Sequence, residues 1–139
     1  MKLKLIVFEG VDKVGKTTIH KLFDKETNYK HLTCDRLFLS YLAYCFRYKR
    51  EVSKSIKTWL LNNIDNIIIV YLHADKQDLE TRYKIAKHEK VNIAKDLKCF
   101  EKAIDYINDC NVKYISVNTS LMTEEATLQH IKEALKNEI

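Results

Sequence analysis

The sequence predicts an α/β fold: three layers, with a compact parallel sheet of about four to five strands and helices on both faces. Two observations carry that expectation. Short β-branched runs alternate with longer stretches whose apolar residues recur at helical spacing. The 139 residues also suffice for one buried core with little left for appendages, so residues 1–139 read as a single domain.

Taken in order, residues 2–8 (KLKLIVF) have the pattern of a buried strand. Residues 16–25 read as a helix carrying Ile19, Leu22 and Phe23 on one face, and residues 29–34 as a short strand. Residues 37–48 are apolar nearly all round, which predicts a helix buried in the core or packed on a second copy, a homodimer through this helix. Val52, Ile56, Trp59 and Leu60 follow a helical stripe. Residues 66–72 (NIIIVYL) form the clearest strand. A helix over 76–87 carries Leu79, Tyr83 and Ala86, and Asp75 is placed to cap it. Leu97, Phe100, Ile104 and Ile107 mark another helix, residues 113–117 another strand, and Leu128, Ile131 and Leu135 a last helix started by Thr123. Asn28, Asn63, Asn108 and Asn111 stand where helices should end, in the left-handed conformation that glycine usually supplies.

Composition excludes several classes. The longest apolar run, 67–72, is far short of the roughly 20 residues of a membrane span. The start, MKLKLIVFEG, turns acidic too soon for a signal peptide. Cys34, Cys45, Cys99 and Cys110 form no C-x-x-C pair, which reads as reduced thiols in a cytoplasmic protein. The net charge of +5 comes mainly from lysine. Aromatic residues mingle with arginine and lysine over 41–50 (YLAYCFRYKR), which keeps DNA open as a substrate.

The chain has only two glycines, and both lie in FEGVDKVGKTT, residues 8–18. Gly10, Val11, Asp12, Lys13, Val14, Gly15, Lys16 and Thr17 fit G-x-x-x-x-G-K-[ST], which arises by chance in roughly one chain in two hundred of this length. Such a loop curls backbone N–H groups around phosphate oxygens. Lys16 reaches the terminal phosphates, Thr17 ligates Mg²⁺, and the following helix, with Thr18, turns its positive end to the ligand. A strand precedes the motif and a helix follows it, so the fold expected is that of the P-loop NTPases, with a nucleotide's phosphates and Mg²⁺ as ligands.

Phosphoryl transfer also needs a carboxylate and further cations. Asp35 and Arg36 follow a short strand, where a metal-organising carboxylate and a bidentate phosphate ligand belong, although the pair would also suit a helix start. Asp75 is the rival carboxylate. Arg82, followed by Lys84, Lys87 and Lys90, fits either a cationic segment closing over phosphates or a solvated helix face. Asp12 would suit a sugar hydroxyl, and Lys13 the phosphate cluster.

FEGVDKVGKTT closely resembles the P-loop of the thymidylate kinase family, and Asp35-Arg36 with the segment after it is similar to that family's Asp-Arg motif and helix. IIIVYLHADKQDLETR looks like its fourth strand and the helix leading into its LID. The chain is similar in style to short, phage-type deoxynucleotide kinases. The resemblance implies transfer of the γ-phosphoryl of ATP to a pyrimidine deoxynucleoside monophosphate. It further implies Mg²⁺ at Thr17, Asp12 near the acceptor sugar, Asp35 and Arg36 at the acceptor phosphate, and Arg82 as a LID arginine. The chain lacks the family's Arg-Glu-Pro loop and has no proline. A nucleoside or a DNA hydroxyl as acceptor, and a nucleotide-binding module without transfer, are the other readings.

Overall fold

The computed structural model describes residues 4–11, 13–85 and 92–138. Strand β1 (Leu5–Glu9) leads through the glycine loop into helix α1 (Lys16–Glu26) and strand β2 (Leu32–Asp35). Helices α2 (Phe38–Arg47) and α3 (Lys54–Asn62) follow, then a 3₁₀ turn (Ile64–Asn66) and strand β3 (Ile67–His73). Helices α4 (Lys76–Ile85) and α5 (Ile93–Asp109), strand β4 (Tyr114–Asn118) and helix α6 (Glu124–Leu135) complete the chain. The strands form one sheet in the order β2-β1-β3-β4, and every pairing is parallel.

Topology sets the layers. The chain steps from β1 to β2 on one side, then crosses back past β1 to β3 and on to β4. Right-handed crossovers taken in opposite directions must use opposite faces of the sheet. The contacts agree: α1 packs with α6, and α2 with α5. Phe8 meets Phe23 and His20 of α1, whereas Tyr71 stacks on Phe100 of α5. β3 reads as a continuous apolar run because both its faces are covered: Ile67 through Leu72 are all buried.

Helix α2 buries Leu39, Leu42, Ala43 and Cys45 and packs on α5, so its apolar character has a cause within the chain. Thr123 accepts a hydrogen bond from the Ala126 backbone N–H and caps α6 as expected. Two of the four asparagines take the left-handed conformation, Asn28 (φ 53°) and Asn111 (φ 60°). Asn63 sits at φ −125°, and Asn108 lies inside α5. The second strand begins later than expected because Asn28 and Tyr29 both turn left-handed (φ 53° and 56°) before it, and it ends on Asp35. Among the described residues no helix is long and apolar enough to cross a membrane.

Leu42→Ala should lower stability by about 2–5 kcal/mol, because it empties a site that is 1% exposed. Leu121→Ala, at 75% exposure, should change it by less than about 0.5 kcal/mol. Urea unfolding of the two variants tests the difference.

Candidate functional site

The crossover reversal leaves a crevice at the carboxyl end of β1, where open parallel sheets bind ligands. The glycine loop occupies it. Gly10 (φ 152°) runs so close to β3 that a Cβ there would collide with the Leu72 carbonyl oxygen and with Val14 Cγ2. Gly15 (φ 91°) has open space around it and is needed for its backbone angle instead. Gly15 is the N-cap of α1 and has no side chain to cover the first turn, so the helix turns its unpaired N–H groups toward the loop. Lys13 also adopts a left-handed conformation, at φ 70°. Lys13, Lys16, Thr17, Thr18 and Arg36 line a cleft of about 420 Å³. Its cations and hydroxyls suit an anionic ligand.

Lys16 is buried and forms an ion pair with Asp35, at the end of β2. The parallel register sets Asp35 beside Phe8, so the carboxylate arrives next to the loop from a neighbouring strand. Asp75 lies elsewhere. Its carboxylate accepts from Asn118 Nδ2 at 3.2 Å, and its backbone N–H donates to Ser120 Oγ at 2.8 Å. Thr17 and Asp35 together offer a hydroxyl and a carboxylate to a metal. Among the described residues no cluster of three or more His, Cys, Asp or Glu side chains is placed to hold one. Mg²⁺ needs no such cluster, since it usually retains waters and binds through one or two protein ligands plus phosphates.

Arg36 stands at a corner. Its backbone is left-handed (φ 60°), a conformation that costs a side-chain-bearing residue about 1–2 kcal/mol. Three anchors hold it: the Arg36 N–H donates to the Phe8 carbonyl at 2.9 Å, and Glu9 accepts from the N–H groups of Leu37 and Ser40. Ser40 Oγ also donates to Glu9. Glu9 is fully buried and serves as the cap that Leu37, the N-cap of α2, lacks. Burial pushes its carboxyl above the ordinary value, and the three donated hydrogen bonds oppose that shift. Sequence reasoning passed over Glu9. The available signal was an acid ending an otherwise apolar strand, a position that demands partners.

Beyond Arg36 a second cleft, of about 210 Å³, opens between α2 and α5. It shares Val11 and Arg36 with the first and is walled by Tyr44, Tyr48, Tyr83, Phe100 and the Arg47–Asp96 ion pair (3.1 Å). Asp96 carried no sequence signal, and Tyr83 was legible only as part of the apolar stripe of its helix. Arg82 does not line the cleft at the glycine loop. Its Nη1 donates to the Lys13 carbonyl at 2.8 Å and lies 3.5 Å from Thr119 Oγ1, on a separate cleft bounded by α6. Asp12, Lys87 and Lys90 lie outside the described residues.

Gly10→Ala should weaken binding of a nucleotide triphosphate at least tenfold by isothermal titration, because the loop must shift away from β3. For Glu9, the folded protein retains a proton over the pH range just above 4.5 that the unfolded chain has released. The stabilisation from this proton is therefore fully present below 4.5 and is lost as pH rises through the elevated value. Glu9→Gln should accordingly gain on the wild type as pH rises from 4.5 toward neutral. Urea unfolding at several pH values tests this, and a constant gap would contradict it.

No protein-family model and no curated protein matches the chain. Solved structures do. The YorR protein from Bacillus subtilis, in complex with phosphorylated GDP, matches with a TM-score of 0.81 over 97% of this chain and 97% of that one, at 18% identity. Thymidylate kinase from Candida albicans matches with a TM-score of 0.57 over 98% of this chain and 92% of that one, at 16% identity. At these identities the likeness speaks for architecture alone: the chain shares the three-layer parallel α/β fold of these two proteins.

Proposed function

We propose that this protein is an ATP-dependent phosphotransferase whose acceptor is a deoxynucleotide, in first place a pyrimidine deoxynucleoside monophosphate. The observation that carries the reading is Arg36. It borders both the phosphate cleft and the tyrosine-walled cleft, so one guanidinium can serve donor and acceptor phosphates together. The pyrimidine monophosphate as acceptor rests on the resemblance of the loop and the Asp35-Arg36 segment to thymidylate kinases. A nucleotide bound to the structurally similar YorR protein supports a nucleotide as ligand class.

ATP and Mg²⁺, when bound, supply the transferable phosphoryl group and neutralise its charge. The chain's own part is positioning and electrostatics. Gly10–Thr18 hold the phosphates, with Lys16 and Arg36 countering their charge. Thr17 offers its hydroxyl to the metal, and Asp35 orients the metal or the acceptor. Arg82 acts on the loop through the Lys13 carbonyl.

The test is an acceptor screen with labelled ATP against deoxynucleoside monophosphates, nucleosides and duplex DNA. Label should pass to a pyrimidine monophosphate, and Lys16→Ala should reduce kcat by about 10²–10³-fold. Label found only in DNA would overturn the choice of acceptor. Nucleotide binding without transfer to any acceptor would leave a binding module.

A further inference from the structure

The fold uses only half of the aromatic and basic stretch 41–50. Leu42, Ala43 and Cys45 go into the core, while Tyr44 and Tyr48 remain 50% and 59% exposed. Their rings stack on each other, with centroids 6.3 Å apart and planes at 21°. The Arg47 guanidinium lies 5.5 Å from the centre of the Tyr48 ring and that of Arg50 lies 5.9 Å from it. Asp96 fixes Arg47 through Nε. Lys49 turns left-handed (φ 53°), and the Arg50 N–H donates to the Cys45 carbonyl at 2.8 Å. The chain thus doubles back after α2 and brings Arg50 over Tyr48. Two exposed rings and two guanidiniums are held in one arrangement, on a chain of net charge +5.

Stacked exposed rings offer π-faces to bases, and guanidiniums offer charge to phosphates, the combination found in single-strand binding surfaces. The position has meaning as well. Tyr44, Arg47 and Tyr48 wall the cleft behind Arg36, whereas Arg50 lies outside that cleft. We propose that this surface binds single-stranded DNA, running outward from the acceptor cleft along Tyr44, Tyr48 and Arg50. That the strand is DNA rather than RNA rests on the deoxynucleotide acceptor proposed above; the surface itself does not.

Fluorescence anisotropy of nucleotide-free protein with labelled oligodeoxythymidylates of increasing length tests the proposal. Affinity should rise with length and fall with salt. Tyr48→Ala and Arg50→Gln should each weaken binding roughly tenfold, while Tyr48→Phe, which keeps the ring, should bind as the wild type does. Arg50→Gln should leave phosphorylation of a mononucleotide unchanged. Absence of length dependence would overturn the proposal, as would tighter binding of RNA or duplex. A dimer in sedimentation that Tyr48→Ala dissolves would assign the surface to a second copy instead. Oligonucleotide binding without phosphorylation of any acceptor would sink the proposed function and leave the surface standing; the reverse result would do the opposite.

Discussion

The site depends on one buried carboxylate. Glu9 ends the central strand and accepts hydrogen bonds from Leu37 and Ser40, at the start of the helix that follows the neighbouring strand. An uncompensated acid there would cost several kcal/mol, and the unpaired N–H groups of a helix start would add to that. Each need answers the other. Between them sits the left-handed Arg36, whose strain is tolerated because both flanks are pinned. The geometry of the glycine-loop cleft on one side and of the tyrosine-walled cleft on the other follows from that corner.

Two kinds of charge compensation operate within a few residues of each other. Glu9 is satisfied by neutral donors and is closed off from ligands, so its role is to position others. Lys16 and Asp35 form an ion pair at the edge of a cleft, where each can exchange its partner for a phosphate or a metal. Asp35 is one-third exposed, which keeps that exchange accessible to solvent and ligand. A pair sealed from water would resist it, since separating buried charges is costly.

Much of this was legible in the sequence. The order of strands and helices followed from hydrophobic periodicity, and the loop from its glycines, lysine and threonine. Thr123 announced its helix by local chemistry alone. What was hidden depends on contacts across the fold. Asn28 and Asn111 made left-handed turns that their side chains favour, but Tyr29, Arg36 and Lys49 make the same turn with nothing local to announce it. Partners elsewhere, Phe8 and Glu9, impose the conformation of Arg36, whereas Tyr29 and Lys49 sit in helix-end turns closed by the Tyr29 N–H on the Asp24 carbonyl and the Arg50 N–H on the Cys45 carbonyl. Arg82 was readable as a cation on a helix, yet its bond to the Lys13 carbonyl depends on how α4 is set against the loop. That Asp35 lies beside Phe8 and Lys16, and Asp75 does not, came only from the parallel register.

Gly10 has a consequence for how such a sequence can drift. The atom that excludes a side chain there is a backbone carbonyl, that of Leu72, and every residue type carries one. Exchanging the side chain at 72 therefore cannot restore the space, and trimming Val14 relieves only the lesser clash. A second-site suppressor of a substitution at this position would have to move β3 itself, against its pairing with β1 and β4. Lesions at Gly10 belong to the class that reversion repairs and compensation does not.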